Sequence, residues 1–293
     1  MAQERNNKGK KKQSLTGKAF YIATQTVLCA ILFFTAGMLS DKGHAYVSER
    51  EDNEQIRNEF GITFTTPTPA TSTGVAENTA KPVPEYPLKT PPRYTYPEGI
   101  TIGQLRALKE RNSDFAFWLY IGGTTINYNV MQSEDNDFYL HRNIDKKYAD
   151  YGSLFLDFRN DSETLSGHTI VYGHNMNDGS MFGNLLKFYM GGNDTHLKEH
   201  PYLYTYSESG VGIWKIFSVY ETTTDEYYIE TNFSSTDEYY NFIKDLQNKS
   251  VFKTDVLLKE TDDVMSLSTC YKFNHANGRL VVSAVRVGSS ILN

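Results

Sequence analysis

Cysteine is scarce in this 293-residue chain, which has two, Cys29 and Cys270. No pair of cysteines or histidines has the spacing of a zinc site, and the scattered acidic residues fit a solvated surface, so we expect neither a metal nor another cofactor. Positive charge is not in excess, because 29 Lys and Arg stand against 35 Asp and Glu. The resulting net charge of −6 argues against a general nucleic-acid binder. No internal repeat is visible.

Aromatic residues are abundant by contrast, with 21 Tyr and 17 Phe, and residues of this kind favour strands. Short apolar or alternating segments, separated by clusters of Gly, Asn and Asp, predict eight strands. Strands of this number and spacing predict a mostly β domain, either a barrel or a sandwich. The predicted strands cover residues 115–121, 125–130, 153–158, 169–172, 202–207, 212–220, 264–269 and 280–287.

Helices are predicted at three places around these strands. A capping-box pattern that begins at Thr101 opens a helix over 101–112. A longer helix over 236–247 has Ser235 as its N-cap and one apolar face at i, i+3, i+4 and i+7 spacing. It precedes the seventh strand. A further helix is predicted over about 181–189.

The N-terminus has the pattern of a membrane anchor. Residues 1–18 are basic, and residues 19–39 form a stretch without charge that is long enough for the ~30 Å hydrocarbon core of a bilayer. The basic flank predicts a cytoplasmic tail, a single pass through the bilayer and an extracellular remainder. A cleaved signal peptide is the alternative, with Gly43 and Ala45 as a weak cleavage site. The length of the apolar stretch favours the uncleaved anchor.

The next segment has the composition of a spacer. Residues 40–97 are polar and then rich in Thr and Pro, a composition that cannot bury enough apolar surface to offset the entropy of ordering. We expect an extracellular stalk here, with residues 98–293 as the catalytic domain.

Cys270 is the candidate nucleophile because it ends a predicted strand, where a side chain can face a cleft. If residues 19–39 span the membrane, Cys29 cannot pair with Cys270, which leaves a lone thiol outside the cell. The alternative is a buried cysteine that acts as a small hydrophobe. A nucleophilic thiol also needs a proton acceptor or a nearby positive charge.

Two further residues are candidates for that support. His174 follows a predicted strand at a loop exit, where catalytic groups tend to be displayed; His168 and His275 are its closest competitors. Arg279 opens the strand after Cys270 and could stabilise an oxyanion, with Arg286 as the alternative. A surface salt bridge is the commoner fate of a lone arginine.

The segments around these residues resemble the sortases, the cysteine transpeptidases that attach proteins to the cell wall of Gram-positive bacteria. SLSTC at 266–270 and RLVV at 279–282 are similar to their active-site strands. The resemblance to class B sortases rests on four further segments and runs from about residue 101 to 287. These segments are VYGHNMNDGSMFGNLLKF at 171–188, FWLYIGGTTINYNV at 117–130, DNDFYL at 135–140 and GSLFLD at 152–157.

The resemblance implies a closed eight-stranded β-barrel with an N-terminal helix and a long helix before the seventh strand. It implies Cys270 as nucleophile, His174 as acid and base, and Arg279 as the group that stabilises the oxyanion or positions the substrate. By the same resemblance, the substrate-binding residues are Ser268, Asn136, Leu140, Thr224 and Tyr228.

The implied activity is cleavage of a C-terminal sorting motif after Thr, followed by transfer of the acyl group to a peptidoglycan amine. The implied partners are exported proteins that carry the motif, and a peptidoglycan precursor or cross-bridge that supplies the amine. One alternative is a pilin-polymerising sortase with a lysine acceptor. Another is a catalytically inactive surface-binding module, against which the presence of Cys, His and Arg argues. A papain-like hydrolase is less consistent, because no long helix follows the cysteine.

Overall fold

The computed structural model describes residues 48–64, 95–271 and 276–292. Eight strands form within these ranges, each at a place that the alternating segments predict. They are β1 (Phe115–Ile121), β2 (Asn127–Met131), β3 (Leu154–Leu156), β4 (His168–Gly173), β5 (Tyr202–Ser207), β6 (Gly210–Thr223), β7 (Val264–Cys270) and β8 (Gly278–Ser290).

The strands close into a mixed barrel in the order β1-β2-β3-β4-β7-β8-β6-β5. Closure occurs where β1 pairs with β5, with Trp118 opposite Tyr206. The pairs β2–β3 and β4–β7 are parallel, and the other pairs are antiparallel. The prediction of a closed eight-stranded barrel is therefore confirmed, and a sandwich is excluded.

The barrel is buried on both faces along β1, which explains why this segment is almost wholly apolar. Phe117, Leu119 and Ile121 point to the interior cluster of the barrel. Trp118 alternates with them and packs in a second cluster on the outside, which Phe115 joins because the register shifts between Phe115 and Phe117. Each of these side chains is at most 3% exposed. Burial of such a side chain contributes about 1.5–3 kcal/mol, so both faces help to fix the register.

Four α-helices lie in the described residues: α1 (48–60), α2 (Ile102–Arg111), α3 (Thr195–Glu199) and α4 (Thr236–Asn248). The predicted capping box of α2 is present, with Thr101 and Gln104 satisfying each other's backbone. Ser235 accepts the backbone N–H of Glu238 at the start of α4, as predicted. The apolar face of α4 packs against β6, β7 and β8 through a third cluster that includes Ile243.

The helix predicted over 181–189 is shorter and of another kind. A 3₁₀ helix covers Gly183–Phe188. Met181 has a φ of 50°, which no right-handed helix allows, so the helix begins after it. The five-residue α3 was not predicted from sequence, because it is too short to show a helical period.

The structure departs from the predicted stalk at residues 49–64. Helix α1 and the turn after it pack on the domain through Ile56 and Ile62, which are 6% and 2% exposed. An ion pair of 2.9 Å joins Glu59 of α1 to Arg111 of α2. The prediction fails here because α1 is charged on most sides and Ile56 is its only buried apolar residue. The polar sequence of α1 therefore gives no signal that this segment packs on the domain.

The remaining N-terminal predictions fall on residues that the structure leaves undescribed. These are the tail 1–18, the apolar stretch 19–39, and residues 40–47 and 65–94 of the predicted stalk. Among the helices of the described ranges, none combines the length and the apolar character that a membrane crossing requires.

Candidate active site

The candidate catalytic residues come from strand ends that meet at one edge of the barrel. Strands β4 and β7 run parallel, so their carboxyl ends lie side by side, with Gly173 opposite Thr269. Strand β8 is antiparallel to β7, so its first residues lie at the same edge. The end of β4 is thereby brought next to the end of β7 and the start of β8, which lie far from it in sequence.

Cys270 and Arg279 are direct partners in the β7–β8 ladder. Side chains of directly opposed residues lie on the same face, with Cβ atoms roughly 5 Å apart. The thiol of Cys270 is free and half-buried. The guanidinium of Arg279 donates through Nη1 to the carbonyls of Gly278 and Asn277, at 2.9 and 3.3 Å. Its Nε and Nη2 make no hydrogen bond to any residue of the described ranges.

His174 follows β4 immediately and lies one residue beyond the Gly173–Thr269 pair, level with Cys270. Its Nε2 lies 2.8 Å from the carbonyl oxygen of Leu140. A carbonyl can only accept, so Nε2 carries the hydrogen, and Nδ1 is left as the nitrogen that can take a proton. Burial lowers the pKa of His174, and nearby His141 lowers it further, while the bond to Leu140 opposes the change. The imidazole is therefore neutral at pH 7.

The competing residues that the structure describes are occupied elsewhere. His168 begins β4, at the opposite end from Gly173, and is 1% exposed. Its ring nitrogens lie 2.7 Å from the carbonyl of Glu230 and 2.9 Å from the hydroxyl of Ser266. Arg286 stacks on Trp214, with its Cζ atom 4.5 Å from the ring centroid. His275 lies outside the described residues.

Two of the predicted substrate-binding residues form a buried pair next to the nucleophile. The hydroxyls of Ser268 and Tyr228 lie 2.8 Å apart, and the two side chains are 2% and 5% exposed. Burial raises the pKa of Tyr228; Cys270 adds to the rise, while the Ser268 hydrogen bond and the charge of Arg279 oppose it. The Tyr228 hydroxyl thus lies within the electrostatic reach of both candidate catalytic residues.

Leu140 lies within a 3₁₀ turn, Phe138–His141, on the side of His174, and Asn136 precedes this turn. Leu140 reaches the site through its backbone, as the carbonyl that holds His174. Asn136 donates to the buried carboxylate of Asp157 at 3.1 Å. Leu140 is therefore tied to the edge that carries His174, whereas Asn136 is tied to Asp157, whose backbone N–H bonds the carbonyl of Ile170 farther back along β4.

Thr224 is exposed and lies in the loop after β6. Its backbone N–H donates to the carbonyl of Asn277 at 3.2 Å, and its hydroxyl accepts from the amide of the same residue at 3.2 Å. Asn277 also provides a carbonyl to Arg279. Thr224 thus contacts the turn that leads to Arg279.

Sequence reasoning missed residues that support this arrangement. The side-chain amide of Asn175 donates to the backbone carbonyl of Cys270 at 2.7 Å. The hydroxyl of Thr269 donates to the carbonyl of Gly173, also at 2.7 Å. Both bonds cross between the strand end of the histidine and that of the cysteine. The only sequence signal was adjacency, since Asn175 follows His174 and Thr269 precedes Cys270.

A thiol, a neutral imidazole and a guanidinium at one strand edge can together support acyl transfer: one attacks, one moves a proton and one stabilises negative charge. No group of three or more His, Cys, Asp or Glu in the described ranges is arranged to hold a metal ion.

Comparison with known proteins gives the class to which this barrel and site belong. The family model described as "Sortase domain" matches residues 119–287, which contain all eight strands except the first part of β1 and the last part of β8. The chain belongs to the sortase family, the transpeptidases of the Gram-positive cell wall.

The relatives narrow this assignment to class B. Sortase B of Listeria monocytogenes is 43% identical over 183 residues, which cover 61% of this chain and 72% of the relative. The structure of sortase B from Bacillus anthracis in complex with AAEK1 has a TM-score of 0.63 and 32% identity, covering 83% of this chain and 98% of that one. A Staphylococcus aureus sortase B–substrate complex has a TM-score of 0.59 and 32% identity, covering 64% and 87%.

Proposed function

We propose that this class B sortase cleaves a C-terminal sorting motif of exported proteins after Thr and transfers the acyl group to a peptidoglycan amine. One observation carries the proposal: Cys270 pairs with Arg279 in the β7–β8 ladder, while His174 follows the β4 residue that pairs with Thr269. A nucleophile, a proton carrier and a fixed positive charge therefore share one edge.

In the first half-reaction, Nδ1 of His174 takes the proton of Cys270, and the thiolate sulfur attacks the carbonyl carbon of the motif Thr. The carbonyl oxygen becomes an oxyanion that the Arg279 guanidinium stabilises. One such donor is typically worth about 3–4 kcal/mol of activation energy. The tetrahedral intermediate collapses when His174 gives its proton to the leaving amide nitrogen. A thioester on Cys270 and a free amine result.

In the second half-reaction, an amine of peptidoglycan attacks the thioester carbon, and His174 takes the proton that the amine loses. The thiolate of Cys270 leaves, and a new amide bond joins the exported protein to the acceptor. A histidine whose pKa lies below its ordinary value is neutral when each half-reaction begins, as this cycle requires.

For the motif, we propose an NPxTx-like pentapeptide in preference to LPxTG, on the resemblance to class B. The proposed contacts are Ser268, Tyr228, Thr224, Asn136 and Leu140. The Staphylococcus aureus sortase B of similar fold was solved as a substrate complex, which supports binding of a substrate by this type of barrel.

We also propose that residues 19–39 anchor the enzyme in the cell membrane, with the tail 1–18 in the cytoplasm and the barrel outside. An enzyme and a substrate that share a membrane meet at a raised effective concentration, so a weak affinity for the motif suffices. Residues 65–94, rich in Thr and Pro, would serve as the spacer between membrane and barrel.

The test is a cleavage assay of the purified full chain on a peptide library, with and without an amine acceptor. Cys270→Ala should abolish cleavage, while Cys29→Ala, the matched control, should retain it. Arg279→Ala should lower kcat by at least about 100-fold without a comparable loss of folding stability, whereas Arg286→Ala at the other end of β8 should leave kcat within about threefold. Retained turnover in Cys270→Ala would refute the proposal. Preference for a pilin lysine over a cell-wall amine would reassign the acceptor.

A further inference from the structure

Asp157 is a buried acidic residue outside the candidate catalytic set. It follows β3 directly, and its side chain is 0% exposed. Its carboxylate accepts from the Tyr172 hydroxyl at 2.9 Å and from the Asn136 amide at 3.1 Å. A carboxylate this deeply buried requires a counter-charge, because desolvation of an unpaired ion costs several kcal/mol.

Arg159 supplies that counter-charge in a two-bond geometry. Its Nε and Nη2 donate to the two carboxylate oxygens of Asp157 at 2.8 and 2.7 Å. The same guanidinium also reaches the segment between β6 and α4. Nη1 donates to the Tyr227 hydroxyl at 3.1 Å, and Nη2 donates to the carbonyl of Ile229 at 2.9 Å.

The two residues thus connect two proposed substrate contacts that are far apart in sequence. Tyr228, whose hydroxyl bonds Ser268, lies between the two residues that Arg159 holds. Asn136, on the other side, is held by Asp157. A shift of Asp157 or Arg159 would therefore move both Asn136 and Tyr228.

The pair also sets the orientation of the Asn136 side chain. Its Oδ1 accepts the backbone N–H of Phe158 at 3.1 Å, so its Nδ2 must face Asp157. One amide hydrogen is used on the carboxylate. The second has no acceptor among the described residues, which leaves a donor for a peptide carbonyl.

We propose that Asp157 and Arg159 are positioning residues that set the width of the sorting-motif groove by holding Asn136 and the 227–229 segment at a fixed separation. This inference rests on the proposed function for its substrate. Neither residue acts on the reacting bond, so we expect them to affect the binding of the motif, measured by KM, and to leave kcat nearly unchanged.

Lysine at position 159 tests the requirement for the guanidinium. A lysine keeps the charge and can reach Asp157, but a single ammonium cannot hold Asp157, Tyr227 and Ile229 in one planar arrangement. In the full chain, Arg159→Lys should raise KM for the motif peptide about tenfold and leave kcat within about twofold. Backbone amides of residues 225–231 should exchange with solvent at least about tenfold faster than in the wild type.

Arg111→Lys is the matched control. Arg111 also holds a carboxylate with two bonds, to Asp145 at 2.8 and 3.0 Å, and it also reaches Glu59. None of these residues belongs to the proposed groove. The control should therefore lose a comparable set of contacts while KM and the exchange of residues 225–231 stay unchanged.

The two measurements separate the inference from the function on which it rests. If residues 225–231 exchange no faster in Arg159→Lys than in Arg111→Lys, the positioning role is refuted. If exchange rises while KM is unchanged, this segment does not shape the motif groove, and the proposed effect of Arg159 on the width of the groove is refuted. If the wild-type chain cleaves no motif peptide, the proposed function fails, while the exchange experiment still decides whether Arg159 positions the segment.

Discussion

Acid should destabilise this protein through His168, which begins β4 and packs against Phe242 of α4. Its Nδ1 faces the carbonyl of Glu230, so that nitrogen carries the hydrogen. Its Nε2 then accepts from the hydroxyl of Ser266, whose oxygen lies 2.8 Å from the hydroxyl of Ser283. A proton added to Nε2 would remove that acceptor and place a charge on a ring that is 1% exposed.

The size of the effect follows from the pKa. Burial lowers the pKa of His168 to about 4 from its ordinary 6.5. At about 1.4 kcal/mol for each pKa unit, the difference corresponds to about 3 kcal/mol. The unfolded chain takes up the proton as pH falls below about 6.5, and the folded protein takes it up only near 4. The free energy of unfolding is therefore unaffected by this group above pH 6.5 and decreases progressively from there toward pH 4.

Urea unfolding of the wild type and of His168→Asn, at several values from about pH 7.5 to about pH 4.5, measures this contribution. The free-energy difference between the two proteins should change by about 2–3 kcal/mol in favour of the variant as pH falls. His141→Asn is the control, because that side chain is exposed. If the wild type and His168→Asn lose stability in parallel over this range, His168 makes no such contribution.

Three further outcomes are expected. Asn175→Ala removes the donor to the Cys270 carbonyl, so kcat for peptide cleavage should fall about tenfold with KM unchanged; an unaltered kcat would contradict a positioning role. Glu49 is 1% exposed, and burial raises the pKa of its carboxyl group although hydrogen bonds from Tyr128 and Ser180 oppose the rise, so its ionisation opposes folding as pH rises. Glu49→Gln should therefore raise Tm more at about pH 8 than at about pH 5, and a lower Tm at pH 8 would exclude this. Ser235→Ala should cost about 1 kcal/mol in urea unfolding, because α4 loses its N-cap, and an unchanged midpoint would count against the cap.

The strands could be predicted from sequence because their signals are local. Alternation and turn residues locate β1 and β7 to within a residue or two, and the capping box at Thr101 marks the start of α2 to the residue. Helix α1 could not be found in this way. Its attachment depends on contacts that Ile56 and Ile62 make with residues that are distant in sequence, and no periodic apolar face predicts these contacts.

The candidate site could be predicted from sequence as far as the ends of its strands could be predicted. Cys270 closes one strand and Arg279 opens the next, so an antiparallel pairing of these two consecutive strands brings them close, and local spacing indicated this. The position of His174 depends on the parallel pairing of β4 with β7, whose residues are about 96 apart in sequence. That pairing has no local signal, so the sequence alone left His168 and His275 as alternatives to His174. The contacts of Arg159 with Tyr227 and Ile229 span 68 and 70 residues and were missed on the same grounds.

The buried Ser268–Tyr228 hydrogen bond connects the nucleophile strand to the segment that Arg159 holds. Both hydroxyls are nearly inaccessible, so a substrate group can reach Ser268 only if the Tyr228 hydroxyl shares or gives up its bond. A displaced Tyr228 would also move Tyr227 and Ile229, the neighbours in sequence that accept hydrogen bonds from Arg159. On the proposed function, the motif therefore reaches Ser268 without loss of the groove only while Arg159 keeps this segment in place. Because these contacts act on motif binding, before the thiol attacks, weakening them should raise KM while the geometry between Cys270, His174 and Arg279 is preserved.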